Sequence, residues 1–266
     1  MRDHCQAAPA PAGNLPAAAR PAPTGSDLLS APPDDGITAR WEDQLPGLIS
    51  RLELPTDGVV QVGAHVGQEV PALTRCGFRR LVMMEPNADH IPALRHQLHQ
   101  HHRGAGLAAP ADGLPAREVV LAAAGRERGQ LVLHVTEYDQ QASLLVPLLP
   151  MAVVRQDTIR VIPVHEVQAG CNVLVVDAQG AELEVLAGTD LSRLQLAVIE
   201  GSTWARYSGG ATLETIADYM RSHGWRQVAA WAHVRPHVVD VAWLAPTYPA
   251  FGAHRDAGPE VVQNPA

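Results

Sequence analysis

Three stretches carry residue types that could do chemistry. In VVDAQGAELEVLAG, Asp177 closes an aliphatic run and is followed by Gln179, Gly180 and Glu182. A second acid, Glu200, follows the aliphatic run Leu194–Ile199. Carboxylates at adjacent strand ends could hold Mg²⁺, which would lower the pKa of a nearby hydroxyl. They could instead raise each other's pKa, so that one serves as a base. Asp177 is the first candidate for a catalytic or metal-binding role, with Glu200 beside it. Capping of a helix start is the plain alternative for Asp177 and the stronger reading for Glu182.

The second stretch, VVQVGAHVGQ over 59–68, is a strand running into a glycine-bearing turn and then a helix. Gly63 would allow a tight turn, and Gly67 a close approach of helix and cofactor. Gln61, Ala64 and His65 complete this candidate binding turn. Position 65 is His where a dinucleotide fold has the glycine that admits a pyrophosphate. A cofactor without pyrophosphate fits better, and S-adenosylmethionine is the common one. Glu85 follows the strand LVMM, eighteen residues after Gly67. An acid there can accept both hydroxyls of a ribose, and Pro86 forces an extended or turn exit. A surface carboxylate at a strand end is the bland alternative. Ala123, closing a third strand, completes the cofactor set. His165 and Tyr138 are further candidate bases. Trp204 and Tyr207 could line an acceptor pocket or simply pack a loop.

These residues need a frame to position them. Short β-branched runs alternate with helical patterns, which predicts βαβ units and a doubly wound α/β sheet. Strands are expected at Val59–Val62, Arg80–Met84, Glu118–Ala123, Gln130–Val135, Thr158–Val164, Asn172–Val176 and Leu194–Ile199, with 140–158 irregular. Helices are expected at Glu69–Cys76, Asp89–His101, from Glu182, and at Leu213–His223. Trp225–Trp231 and Val238–Leu244 form an antiparallel pair at the sheet edge. Residues 1–36 are Pro/Ala/Gly-rich and read as a disordered tail. The domain spans 37–248, and 249–266 is a flexible tail.

Of 266 residues, 46% are hydrophobic and only 4% aromatic, so the core is expected to be aliphatic, as in a parallel sheet covered on both faces. The net charge of −8, with no basic stripe, argues against nucleic acid. His96, His99, His101 and His102 read as a solvated helix face, with a metal site as the sharper alternative. Three well-separated cysteines, without C-x-x-C spacing, suggest neither zinc nor a disulfide framework and fit a reducing cytoplasm. No secretory signal and no membrane span are expected. Oligomeric state is left open.

The glycine turn, Glu85-Pro86, the D-x-Q-G-A-E-x-x-V-L-x-G block at 177–188 and Val198-Ile199-Glu200 together resemble the FkbM family of methyltransferases over about residues 57–245. The resemblance implies a Rossmann-like, S-adenosylmethionine-dependent methyltransferase. It implies O-methylation of a hydroxyl on a natural product or sugar, so the partner is a small-molecule or glycan acceptor. Ser143-Leu144-Leu145 sits where the family often has a serine-bearing loop, and Asp240 where an acid is common. Gln61 replaces an acid, Val175 a Lys, and Val164-His165 a Leu-Asp pair. Those departures keep a non-catalytic binding module in view. An NAD(P)-dependent oxidoreductase is the other rival, weakened by the missing middle glycine.

Overall fold

The computed structural model describes residues 40–102, 113–148, 150–233 and 235–248. The expected tails at 1–36 and 249–266, and His102's side chain, lie outside the described residues.

A seven-stranded sheet forms the frame. Its strands are β1 (Gly58–Val62), β2 (Arg80–Glu85), β3 (Arg117–Leu121), β7 (Val173–Val176), β8 (Leu196–Ser202), β9 (Arg226–Ala232) and β10 (Val238–Leu244). The spatial order is β3-β2-β1-β7-β8-β10-β9. All neighbours run parallel up to β8, and β10 is antiparallel to both β8 and β9. The order reverses direction between β1 and β7, and that switch point is where ligands collect in open α/β sheets.

β1, β2, β7 and β8 are buried along their whole length, which explains their aliphatic character. Val59, Leu81, Met83, Val173, Val175 and Val198 face one core with helices α1 (Trp41–Arg51), α2 (Val70–Arg75) and α3 (Ile91–His102). On the other side α5 (Leu213–Ser222) packs on β8: a Cβ on Gly201 would meet Leu213 and Ile216. A capping box of Thr212 and Thr215 starts α5, and its buried face is Leu213, Ile216, Ala217 and Met220, as its spacing predicts.

Three elements depart from expectation. Helix α1 lies where no element is expected. Its buried face is Trp41, Leu45, Leu48 and Ile49, and Pro46 in its interior masks the helical pattern. The segment read as irregular over 140–158 contains the start of β6 (Val153–Ile162). β6 is the middle of a three-stranded sheet with β4 (Ala123–Ala124) and β5 (Gly129–Thr136). Its first half is exposed, so Arg155, Gln156 and Asp157 show no apolar alternation. The expected third strand also divides, Arg117–Leu121 staying in the main sheet and Ala123–Ala124 joining the small one.

Candidate active site

The turn after β1 is clamped between two strand ends. Gly63 N and Ala64 N both donate to Met84 O, at 3.0 Å each. Gly63 has φ +77°, and a Cβ there would stand 1.9 Å from Asp177 O. Only glycine lets this turn lie against the end of β7.

Glu85, buried at the end of β2, faces the turn. Its Oε2 accepts from His65 N at 2.7 Å, and its Oε1 from Asn87 N at 2.8 Å and His90 Nδ1 at 3.2 Å. A carboxylate offers about four acceptor positions, so one on Oε2 stays open toward a cleft of about 600 Å³. Ala122, Ala123, Ala124 and Leu144 give that cleft an apolar wall, and Asp177 stands in its lining with Glu85.

Beyond Asp177 the backbone is held in unusual conformations. Gln179 has φ +50° and is buried; Gly180 has φ +101°, and a Cβ there would meet the Tyr207 ring at 2.9 Å. Gln179 is held from every side. Its Nε2 donates to Asp177 Oδ1 (2.5 Å) and Glu200 Oε1 (3.3 Å), its Oε1 accepts from Tyr207 Oη (2.8 Å), and its backbone oxygen accepts from Ser143 Oγ (2.8 Å). Glu182 Oε1 accepts from Gly180 N and Ala178 N, at 2.9 and 3.2 Å. It thus serves the turn before α4 (Glu182–Ala187), whose N-cap is Ala181 rather than Asp177.

A second cavity, of about 1000 Å³, opens on the α1 side and shares Asp177 and Gln140 with the first. Gln61, Glu69, Glu200 and Asp240 line it, with Arg40 and Glu42 from the start of α1. Asp240 and Glu200 sit directly opposite each other across β10 and β8. Arg235 Nη2 donates to Glu200 Oε2 at 2.8 Å. Gln61 Nε2 donates to Glu69 at 3.0 Å, while Gln61 Oε1 is buried without a partner. Burial, then the charge of Asp177, pushes Asp240 up to about 8. Burial pushes Glu69 up to about 7, against the hydrogen bond from Gln61. It also raises Asp177, against Arg235 and Gln179, and with Asp177's charge raises Glu200 well above the usual range. His233, also in the lining, is pulled down to about 4 by burial and Arg235, so it is neutral at pH 7.

The residues singled out from sequence therefore separate. Gly63, His65, Glu85, Pro86, Ala123 and Asp177 line the first cleft. Gln61 and Glu200 line the second cavity instead, and Gln61's alternation along β1 puts it on the Val59 face. Ala64 is buried outside the lining, and Gly67 (φ +87°) serves a tight packing against Leu94 of α3 rather than a cofactor. His165 is exposed in the turn before β7, 3.1 Å from Gly188 O, away from both cavities. Tyr138 and Trp204 are exposed, and Tyr207 supports Gln179 from behind. The Mg²⁺ expectation does not fit the geometry: between Asp177 and Glu200 stands the Gln179 amide N–H, a donor where a cation needs acceptors. Sequence reasoning missed Gln140, Glu69, Arg235 and the Arg40–Glu42 pair. Among these only Glu69, the first residue of the helix expected after the glycine turn, lay near a motif.

Residues 61–226, more than half of the chain, match the methyltransferase FkbM domain. The chain belongs to the FkbM methyltransferase domain family. Among solved structures, this FkbM domain is similar to methyltransferase FkbM from Methylobacillus flagellatus KT, with 16% identity and a TM-score of 0.48. That alignment covers 71% of this chain and 43% of the other, so the chain matches less than half the length of that relative. It is also similar to precorrin-6y C5,15-methyltransferase from Geobacter metallireducens GS-15, at 14% identity, 80% and 94% coverage and a TM-score of 0.41. A third is TrmK of M. capricolum in complex with S-adenosylhomocysteine, at 9% identity, 76% and 69% coverage and a TM-score of 0.41. No curated protein sequence matches the chain. Among the described residues no helix is long and apolar enough to cross a membrane.

Proposed function

We propose that this FkbM domain transfers a methyl group from S-adenosylmethionine to a hydroxyl oxygen, with Asp177 as the general base. The observation that supports this reading is the meeting of two cavities at Asp177 and Gln140. The first suits an adenosyl group: Glu85 has an open acceptor position for a ribose hydroxyl, and Ala122–Ala124 with Leu144 form an apolar slot for a base. S-adenosylmethionine, when bound, supplies an electrophilic methyl group. The protein then has two tasks, orienting the acceptor oxygen and removing its proton. Orientation alone can contribute about 7–11 kcal/mol. Asp177, raised by burial, is a stronger base than an exposed carboxylate. Crowding among Asp177, Glu200 and Asp240 keeps protons shared within the group.

The acceptor is a natural product or sugar carrying several hydroxyls. The second cavity offers both kinds of partner: Gln61 Oε1 is an acceptor and Arg235 Nη1 a donor, each buried without a partner, and Asp240 lies in the same lining. Such a surface favours a ligand whose hydroxyls both donate and accept. We place the reaction in the reducing cytoplasm, a reading that rests on the free thiols Cys76 and Cys171, both pushed up to about 12 by burial.

Calorimetric titration with S-adenosylhomocysteine is the test. One site per chain, weakened in Glu85→Ala, is expected. No binding, or binding indifferent to Glu85, would overturn the reading. Tight binding with no labelled methyl transferred to any hydroxylated acceptor in cell extracts would favour a binding module.

A further inference from the structure

At the mouth of the first cleft three side chains from separate elements aim at one point. His65 comes from the β1–α2 turn, His90 from the turn before α3, and Asp139 from the turn after β5. Their donor atoms all lie within 4.8 Å of one another. Asp139 Oδ1 is 2.8 Å from His90 Nε2, and Oδ2 is 2.9 Å from His65 Nε2.

The outer partners decide which ring atom faces Asp139. His90 Nδ1 faces Glu85 Oε1, which already accepts from Asn87 N. His90 Nε2 faces Asn87 Nδ2 at 3.3 Å. That amide is oriented by its Oδ1, which accepts from Asp89 N at 3.1 Å. With Nδ1 engaged by Glu85, Nε2 is the ring atom that His90 offers to Asp139. His65 repeats the pattern, with Nδ1 3.2 Å from Gln68 Oε1. Two imidazole Nε2 atoms and a carboxylate thus converge, close enough for N–H···O bonds to Asp139 or for one shared ion. A single divalent ion satisfies all three groups at once.

The geometry points to a transition-metal site formed by His65 Nε2, His90 Nε2 and the Asp139 carboxylate, for an ion of the Zn²⁺, Co²⁺ or Ni²⁺ type. Imidazole ligands select these ions over Mg²⁺. Glu85 behind His90 and Gln68 behind His65 hold the rings as outer partners do in histidine metal sites. All three ligands line the cleft, so a remaining coordination position faces it. The bound ion fastens the turn at 139–141 across the cleft mouth. This site does not depend on the methyl-transfer reading, because its test uses the metal alone.

The full chain, stripped with a chelator, is titrated with Co²⁺ and followed by visible absorption. One equivalent, giving the d–d bands of a four- or five-coordinate site, is expected. Asp139→Asn and His65→Gln, both at partly exposed positions, should each weaken binding at least about tenfold with the melting temperature kept. A His96→Gln, His99→Gln double variant removes exposed histidines of α3 and should leave the bands unchanged. Three results would overturn the site: no saturable band, a band that survives both Asp139→Asn and His65→Gln, or a band lost in the α3 variant.

Discussion

The cleft at the ends of β1 and β2 and the cavity beside β8 and β10 share Asp177 and Gln140, yet they are built from different chemistry. At the heart of the first, Glu85 is already held by three donors, two of them backbone N–H groups, and the walls are largely alanine and leucine. In the second, Glu69, Asp177, Glu200 and Asp240 share one space with Arg235 as the cation beside Glu200. All four acids are raised above their ordinary values, chiefly by burial. A satisfied carboxylate is a fixed recognition element. A crowded, desolvated one exchanges protons readily. Under the proposed methyl transfer, holding falls to the first cavity and proton transfer to the second, with Asp177 on the boundary.

The largest effect that could break this division is on turnover. Asp177→Asn is expected to slow methyl transfer by about 10²–10⁴-fold while S-adenosylhomocysteine affinity stays within severalfold, measured by single-turnover transfer and calorimetry. Equal losses in both would erase the boundary. Next, Glu85→Ala should cost roughly 1–3 kcal/mol of S-adenosylhomocysteine affinity and leave the rate at saturating cofactor nearly intact. Gly63→Ala tests the clamp between the cavities. Its Cβ would collide with Asp177 O in a left-handed backbone, so urea unfolding should show a loss of about 1–3 kcal/mol or more.

The smallest effect concerns pH. Asp240 is raised to about 8 in the folded chain, so the folded state binds its proton more tightly than the unfolded one. Its contribution to stability is full below the unfolded value, near pH 4, and is lost as pH rises toward 8. Asp240→Asn removes that loss. It should raise the melting temperature at pH 8 by a few degrees, on the scale of about 2–4 °C per kcal/mol, and change it less at pH 5. An equal shift at both pH values would mean that the Asp240–Glu200 opposition is already relieved by Arg235.

What could be read from the chain alone was whatever depends on local pattern. The aliphatic runs that became β1, β2, β7 and β8 are buried on both faces and carry the pattern in every residue. Gly63, Glu85 and the block from Asp177 stand at strand ends, where a change of residue type marks the turn. Helix α1 and the first half of β6 were not legible. In α1 a proline interrupts the pattern, and the first half of β6 is exposed on both faces, so its residues carry no alternation of apolar and polar.

Only the tertiary structure decided which cavity each side chain enters. Gln61 and Val62 are neighbours in β1, but alternation sends them to different cavities. Gly67 and His165 belong to plausible motifs, yet packing on Leu94 and the register of Gly188 draw them away from the chemistry. Asp139 sits 74 residues from His65 and meets it only because the turn after β5 folds over the first βα turn. Local residue type sets what a group can do. Long-range pairing, which no short window of sequence contains, sets which groups it can do it with.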